Sequence, residues 1–159
     1  MTPAGDIIIQ KASPEDAEEI LALQKLAYNS EAEIYNDFTI PPLHQSLGEI
    51  VAEFENQHFL KSCADGRIIG SVRAHVEDKT CHIGRLIVHP DCQNQGIGTR
   101  LLEEIENVFG NAPRFELFTG HRSEKNLYLY QKQGYKVFKN QRINEDLTIL
   151  FLEKYRNNA

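Results

Sequence analysis

The sequence predicts a single α/β domain built around a mixed β-sheet. Short segments rich in β-branched residues alternate with segments whose apolar residues recur at helical spacing. Asp65-Gly66 joins two of the strand segments as a hairpin, and no repeat, linker or low-complexity stretch interrupts the chain. A chain of 159 residues is long enough for one domain with its own core. We therefore expect one domain over residues 1–159.

The N-terminal part of the chain predicts a strand followed by two helices. Asp6–Lys11 contains three successive isoleucines and predicts the strand. The first helix begins at Ser13, because serine is a favoured N-cap and proline, the next residue, fits the first helical turn. The helical spacing breaks over Tyr28–Pro42, where two successive prolines predict an extended link. Leu43–Glu55 is again predicted to be helical.

The remaining elements are predicted from the same periodicities. Three strands follow the second helix, the first two of them joined by the hairpin turn. They are Phe59–Cys63, Ile68–Val76 and Lys79–Val88. The later elements are helix Ile97–Phe109, strand Arg114–Thr119, helix Ser123–Gln133, and strands Tyr135–Gln141 and Leu147–Leu152.

Composition excludes several classes of protein. The net charge of −6 argues against nucleic acid as a partner. No apolar run is long enough to span a bilayer, and the first residues lack the pattern of a signal peptide. Cys63, Cys81 and Cys92 are scattered and odd in number, which fits a reducing compartment, and no spacing resembles a zinc site. We expect a cytoplasmic protein with no membrane partner and no metal.

The stretch from Leu86 to Leu102 is the most informative one. It predicts a buried strand, a polar loop containing Gly96 and Gly98, and the start of a helix. Backbone N–H groups at such a junction bind anions, which favours a pyrophosphate site, although a plain loop before a helix stays an alternative. A Walker A loop is excluded because Thr99 follows Gly98, and a dinucleotide fingerprint lacks its third glycine.

Two motifs resemble those of a known family. Gln93-x-x-Gly96-x-Gly98, preceded by Leu-Ile-Val-His-Pro, resembles motif A of the GNAT N-acetyltransferase superfamily. Downstream, Leu129-Tyr130-Gln-Lys-Gln-Gly-Tyr resembles motif B of the same family. The order and separation of the motifs match, and so does the order of predicted elements across nearly the whole chain.

The resemblance implies a fold and an activity. The fold is α/β (α+β), with a central mixed, mostly antiparallel sheet of six to seven strands, about four helices, and a V-shaped opening between strands 4 and 5. The activity is an acetyl-CoA-dependent transfer of an acetyl group to a primary amine of a small molecule or peptide. A non-catalytic acyl-CoA-binding or regulatory module on this fold, or a subunit that binds a protein partner, stays an alternative.

The resemblance also implies where acetyl-CoA binds. The backbone of the fourth strand would hold the pantetheine and the thioester carbonyl, and the loop amides would bind the pyrophosphate. Arg100 would add charge to a phosphate or lie in solvent, and the basic residues His121, Arg122 and Lys125 would meet the adenosine phosphates or form exposed surface. The implied contacts are Leu86, Ile87, Val88, Gln93, Asn94, Gln95, Gly96, Ile97, Gly98, Thr99, Arg100, Ser123, Asn126 and Tyr130.

Tyr130 matches the tyrosine that often protonates the departing thiolate in this family. A phenol with a pKa of about 10 is a suitable acid for a thiolate of similar basicity. Packing against the cofactor without proton transfer stays an alternative. The family's asparagine seven residues before this tyrosine is Ser123 here, while Asn126 stands at the usual alanine position. Either side chain is a candidate to bind the cofactor.

The base that deprotonates the amine is predicted less sharply. His82 lies a few residues before the carbonyl-binding strand segment, and an unperturbed histidine suits proton transfer. Glu77, Asp78 and Glu116 are rivals, and a structural role for His82 in such a strand stays an alternative. A covalent route through Cys81 or Cys92 is disfavoured, because neither has an evident base partner.

The acceptor pocket is expected to involve the acidic, aromatic segment from Tyr28 to Phe38. Carboxylates beside aromatic faces suit a cationic amine, and Glu31, Glu33 and Asp37 are the candidates for contact. A role in capping or solvating a helix stays an alternative for these residues. A homodimer is a further expectation.

Overall fold

The computed structural model describes residues 6–156, which form a seven-stranded sheet and five α-helices. The strands are β1 (Ile8–Lys11), β2 (His58–Ala64), β3 (Arg67–Glu77), β4 (Thr80–Val88), β5 (Arg114–Gly120), β6 (Lys136–Arg142) and β7 (Thr148–Tyr155). The helices are α1 (Ala17–Tyr35), α2 (Pro41–His44), α3 (Leu47–Glu53), α4 (Ile97–Val108) and α5 (Glu124–Lys132). Residues 1–5 and 157–159, which the predicted domain includes, lie outside the described residues.

The sheet is mixed and opens in its middle. Its strand order is β1-β2-β3-β4-β5-β7-β6, and among these strands only β4 and β5 pair in parallel. Their pairing begins at Thr80 with Arg114 and ends at His82 with Glu116, while β4 continues to Val88 and β5 to Gly120. The two strands therefore separate, which confirms the predicted V-shaped opening.

A bulge bends β4 at the opening. The register between β3 and β4 shifts between Ser71 and Arg73, and Arg85 on β4 has a left-handed φ of 49°. A bulge inserts an extra residue, increases the local twist and redirects the strand. The bulge thus lies where β4 has left β5.

Helices cover both faces of the sheet, and each face has its own hydrophobic core. On one face, α1 and α3 pack over β2 to β4, with Ile20, Ile50 and Phe59 fully buried. On the other face, α4 and α5 enclose a larger core in which Leu101 and Phe115 are buried. Fully burying an aliphatic or aromatic side chain contributes about 1.5–3 kcal/mol, so the two cores fix the sheet that frames the opening.

The first helix extends further than its predicted limit. The predicted break over Tyr28–Pro42 was wrong for its first half, because α1 continues to Tyr35 and buries Ala32 and Tyr35 beyond the leucine stripe. A single alanine and a tyrosine do not form an apolar stripe that periodicity detects. The helix ends at Asn36, whose φ of 49° is the left-handed conformation common at helix C-termini.

The double proline also differs from the prediction. Pro41 and Pro42 form the first turn of α2 rather than an extended link, because the first-turn N–H groups that proline lacks need no helical acceptor. Ile40, before them, does have the expected extended ψ of 141°. The predicted helix Leu43–Glu55 is correspondingly divided into α2 and α3, so five helices are described where about four were expected.

The hairpin and the first helix start are confirmed. Asp65 and Gly66 both have left-handed φ values, 51° and 76°, as the tight turn requires. Ser13 precedes a short 3-10 turn, Pro14–Asp16, from which α1 follows directly. None of the helices within residues 6–156 has both the length and the apolar character needed to cross a membrane.

Candidate active site

The loop before α4 presents backbone donors. β4 ends at Val88, a 3-10 turn follows, and α4 begins at Ile97 after Gly96, whose φ is 79°. The N–H groups of Ile97, Gly98 and Thr99 have no acceptor within residues 6–156. Donors without partners at a helix N-terminus, together with the positive end of the helix dipole, favour an anion.

Gly98 places this helix start against the opening. A Cβ built on Gly98 would lie 3.4 Å from Leu129 Cδ2 on α5 and 3.8 Å from Val88 Cγ2 at the end of β4. The glycine therefore lies between the two walls of the opening. A larger side chain here would enter the space in which a ligand is expected to bind.

The other predicted loop contacts divide into backbone and side-chain candidates. Ile97 is 2% exposed and contributes to the core, so only its N–H group is available. The side chains of Leu86 and Val88 pack on the α4 face and that of Ile87 on the α1 face, leaving their backbone at the β4 edge that β5 has left. Gln93 is half-buried, while Asn94, Gln95 and Gly96 are exposed.

Arg100 lies at the outer end of this loop region. It is exposed and donates from Nη2 to the carbonyl of Ile7, at 3.3 Å. The contact ties α4 to the chain just before β1. It turns the guanidinium group toward the sheet edge that β1 forms.

Tyr130, the predicted acid, lies on α5 and is close to Tyr28 and Glu31 of α1. Its side chain is 5% exposed, and its hydroxyl has no hydrogen-bond partner within the described residues. Burial raises the pKa of Tyr130, and the nearby Tyr28 and Glu31 raise it further. The phenol is therefore protonated at neutral pH, as a general acid must be. Tyr128, on the same helix, is 67% exposed and points elsewhere.

One face of α1 crosses the opening from β4 to β5. Tyr28 lies under the guanidinium of Arg85, whose Cζ is 5.9 Å from the ring centre, and burial raises the pKa of Tyr28. One helical turn later, Glu31 accepts hydrogen bonds from Ser123 Oγ at 2.6 Å and from Asn126 Nδ2 at 3.1 Å. Helical spacing thus places both side chains on the face that spans the separated strands.

Tyr35 anchors the end of α1 to β5. Its hydroxyl accepts from the N–H of Arg122 at 2.9 Å and shares a 2.8 Å hydrogen bond with Ser123 Oγ. The ring lies directly over Gly120, where any Cβ would overlap the tyrosine hydroxyl. Gly120 is thus required for this close approach.

These contacts join residues that were predicted to bind different ligands. Ser123 and Asn126 were predicted to bind the cofactor and Glu31 the acceptor. In the structure, both Ser123 and Asn126 donate hydrogen bonds to Glu31. Sequence reasoning missed Tyr35, Arg85 and Gly120. The spacing of Tyr28, Glu31 and Tyr35 was the available signal, and ending the first helix at Tyr28 concealed it.

The other two acidic candidates are not brought to the opening. Glu33 is exposed, and its nearest described partner is Asn29, at 3.4 Å. Asp37 accepts hydrogen bonds from the hydroxyl and the N–H of Thr39, and these bonds lower the pKa of Asp37. Asp37 therefore stabilises the turn after α1.

His82 lies at the closed end of the opening, on the last paired residue of β4. Its Nδ1 is 3.9 Å from Glu116 Oε2, and its ring stacks on His75 at 5.3 Å. Glu116 forms an ion pair with Arg114 at 2.9 Å. The role of His82 as the base stays a prediction.

The remaining chemical candidates lie away from the opening or are inert. Glu77 ends β3 and Asp78 begins the turn to β4, at the end of the sheet opposite the loop. Burial raises the pKa of Cys81 to about 12, so this thiol is not a nucleophile at neutral pH. Cys92 is buried beside the loop. Within residues 6–156, no cluster of three or more His, Cys, Asp or Glu side chains is arranged to hold a metal ion.

The basic residues after β5 are at the outer mouth of the opening. Thr148 donates its N–H to His121 Nδ1 at 3.0 Å, which joins this turn to β7. The guanidinium carbon of Arg122 is 5.8 Å from the centre of the Tyr35 ring. Lys125 is exposed on the first turn of α5. No described contact joins His121, Arg122 or Lys125 to the loop before α4.

A buried arginine fixes the helices on the acceptor side. Arg73 on β3 is 3% exposed and forms a 2.9 Å ion pair with Glu53 on α3. It also donates to Gln24 on α1 at 3.1 Å and to Gln45, between α2 and α3, at 3.0 Å. Burial lowers the pKa of Arg73 to about 10, and the side chain stays charged at neutral pH. One cation thus connects all three helices to the sheet.

A separate cavity of about 670 Å³ lies at the opposite end of the sheet. Its lining includes His58, where β2 begins, His75 near the end of β3, and Phe109 after α4. The loop donors and Tyr130 do not line it. The candidate site is therefore the opening between β4 and β5 and not this cavity.

Comparison with known proteins identifies the class to which this architecture belongs. Residues 19–135 match the model of the acetyltransferase (GNAT) family. The chain belongs to this family, as the two motifs predicted.

The chain is also similar to individual proteins. UPF0157 protein YqkA of Bacillus subtilis (strain 168) is 33% identical over 119 residues, which are 75% of this chain but only 34% of that protein. The ribosomal-protein-S18-alanine N-acetyltransferase of Escherichia coli has a TM-score of 0.80 at 15% identity, covering 97% of this chain and 96% of that chain. The PaiA N-acetyltransferase of Thermoplasma acidophilum, solved with coenzyme A, has a TM-score of 0.72 at 23% identity, covering 96% and 100%. The structural matches show a shared fold.

Proposed function

We propose that this protein is an acetyl-CoA-dependent N-acetyltransferase that acts on a primary amine of a small molecule or peptide. The observation that carries the proposal is the opening between β4 and β5. Among the described residues, the N–H groups at the start of α4 and the hydroxyl of Tyr130 on α5 have no hydrogen-bond partner. Membership of the acetyltransferase family supports the reaction class.

The residues of the opening fit coenzyme A. The N–H groups of Ile97, Gly98 and Thr99 would donate to the pyrophosphate, and glycine at 98 leaves space between Val88 and Leu129. The unpaired edge of β4 over residues 86–88 offers backbone groups to an extended pantetheine arm. The coenzyme A bound to the related fold of PaiA supports this assignment.

Tyr130 would supply the proton that the leaving group needs. Acetyl-CoA supplies a thioester whose carbonyl carbon accepts the amine. The Tyr130 hydroxyl is protonated and has no described partner, so it is available to donate to the departing sulfur. A positioned acid of this kind contributes about 10²–10⁴-fold to the rate.

The acceptor would bind on the α1 side of the opening and be cationic. Of the three acidic candidates, Glu31 reaches the opening, while Glu33 and Asp37 would act only at its entrance. The half-buried ring of Tyr28, one helical turn before Glu31 on α1, offers aromatic surface to an ammonium group. A cytoplasmic location and a homodimer accompany this function as predictions; light scattering against the 18.2 kDa chain mass tests the dimer.

Calorimetry and an amine screen test the proposal together. Coenzyme A and acetyl-CoA should bind the purified protein with a stoichiometry of about one, because the helix start offers a single anion site. Thiol release from acetyl-CoA should then be stimulated by amines such as spermidine, lysine analogues or peptide N-termini. Binding without amine-stimulated release would favour the non-catalytic module, and equal rates with cationic and neutral acceptors would remove the charge argument.

A further inference from the structure

We propose that Glu31 is the general base of this transferase, the group that takes the proton from the acceptor's ammonium. This inference rests on the proposed function and goes beyond it, since it assigns the proton acceptor to α1 rather than to His82 of the sheet. Glu31 lies on the α1 face that crosses the opening, where Ser123 and Asn126 hold both of its carboxylate oxygens.

Glu31 differs from the other half-buried glutamates in its hydrogen-bond and ion-pair partners. Five glutamates within residues 6–156 are half-buried, and every one except Glu31 forms an ion pair with a lysine or arginine. The paired residues are Glu53 with Arg73, Glu106 with Lys154, and Glu116 and Glu153 with Arg114. Removing a carboxylate from water is costly unless its charge is paired or hydrogen-bonded. Within residues 6–156, Glu31 accepts hydrogen bonds only from neutral donors, so its negative charge is available to the acceptor's ammonium group.

The carboxylate has room for that cation. Ionised glutamate has about four lone-pair sites on two oxygens, and each oxygen of Glu31 accepts one hydrogen bond from α5 or the turn before it. One lone pair on each oxygen is left for an N–H donor. The nearby cations do not compete, because Arg85 lies over Tyr28 and Arg122 over Tyr35.

Glu31 and Tyr130 face the same space. Asn126, which donates to Glu31, is one helical turn before Tyr130 on α5. The carboxylate is close enough to both Tyr28 and Tyr130 to raise the pKa of each phenol. A base on α1 and an acid on α5 would therefore reach the reacting atoms from two helices that are in contact. His82, by contrast, lies where β4 and β5 are still paired.

The proton transfers balance with these two groups. The ammonium gives one proton to Glu31, and the neutral amine forms the C–N bond. As the C–S bond breaks, Tyr130 gives its proton to sulfur, and the nitrogen gives its second proton to the tyrosine oxygen. Glu31 then releases its proton to water, so the enzyme returns to its starting state.

Glu31→Gln tests the base with a matched pair of acceptors. One acceptor is the best primary alkylamine from the screen; the other is its β-difluorinated analogue, which is mostly neutral at about pH 8 because fluorine withdraws electrons. The variant should lower kcat about 100-fold or more for the basic amine and less than about tenfold for the neutral one. Glu31→Asp should recover part of the loss. His82→Gln is measured beside it, and Glu18→Gln, on an exposed position of α1, is the control for charge.

Calorimetry with coenzyme A separates the possible results. An unchanged affinity in Glu31→Gln, together with the acceptor-dependent loss of kcat, supports the base. An equal loss with both amines, a change in KM alone, or the acceptor-dependent loss in His82→Gln in place of Glu31→Gln would overturn it. If the parent enzyme itself binds coenzyme A but transfers to no amine, the proposed function fails, and the role of Glu31 fails with it.

Discussion

The two walls of the opening are assembled in different ways. The anion-binding wall comes from one continuous stretch, residues 86–102, whose glycines and helix start lie side by side in the sequence. The acceptor wall joins Glu31 and Tyr35 to Ser123 and Asn126, which are about 90 residues further along the chain. The first wall is therefore a local property of the chain, whereas the second exists only after α1 has packed across the sheet.

The difference predicts that the two walls can be disrupted separately. Damage to the loop should affect coenzyme A binding with little change in stability. Damage to the contacts of α1 should affect stability and acceptor use while coenzyme A binding is retained. Four substitutions test this separation, beginning with Tyr130.

Tyr130→Phe should cause the largest loss of catalytic activity. Removal of the hydroxyl leaves the departing sulfur without its acid, so kcat for amine acetylation should fall by about 10²–10⁴-fold. Coenzyme A affinity should hardly change, since the phenyl ring keeps the packing. Tyr128→Phe, on the exposed side of the same helix, is the control. A full rate in Tyr130→Phe would remove this tyrosine from the chemistry.

Arg73→Met should cause the largest loss of stability. Glu53, Gln24 and Gln45 would be left without their shared cation, and breaking a buried ion pair costs about 3–5 kcal/mol. Urea unfolding measures the loss, which corresponds to a fall in Tm of about 6–20 °C for a chain of this size. Lys61→Met is the matched control, because Lys61 is 18% exposed against 3% for Arg73, and loss of its pair with Asp16 should cost about 0–1 kcal/mol. Equal losses in the two variants would contradict the account of α1 to α3.

Gly120→Ala should disrupt the acceptor wall alone. The added Cβ overlaps the Tyr35 hydroxyl, and overpacking of this kind costs about 1–3 kcal/mol of unfolding free energy. The end of α1 should shift, raising KM for the acceptor, while calorimetry with coenzyme A shows an unchanged affinity. Gly84→Ala is the stability control, since nothing lies within 4 Å of a Cβ there.

Gly98→Leu should disrupt the anion-binding wall alone. The leucine side chain enters the space between Val88 and Leu129. Overpacking of about 1–3 kcal/mol that arises only when the ligand is bound would weaken coenzyme A binding about 5- to 150-fold. Gly48→Leu, where the nearest atom is Ser46 Oγ at 4.0 Å, serves as the control. Wild-type affinity in Gly98→Leu would show that the ligand does not pass between these walls.

The sequence predicts the anion-binding wall better than the acceptor wall. The strand, loop and helix around Gly96 and Gly98, the hairpin at Asp65-Gly66 and the V-shaped opening depend on local pattern and on the family resemblance, and they were predicted correctly. The length of α1 was not, because its last turn is fixed by Tyr35 packing on Gly120 of β5, a contact that no local pattern records. The partnership of Glu31 with Ser123 and Asn126 is likewise a tertiary event, so its members were assigned to separate ligands.

The central claim is that main-chain donors at the start of α4 bind the ligand. Backbone amide NMR during a titration with coenzyme A measures this directly, at Ile97, Gly98 and Thr99, whose N–H groups have no described acceptor. These three resonances should shift together and saturate at one equivalent of ligand, as expected for new hydrogen bonds to phosphate. Unchanged resonances at these positions, with saturable shifts elsewhere, would contradict the account.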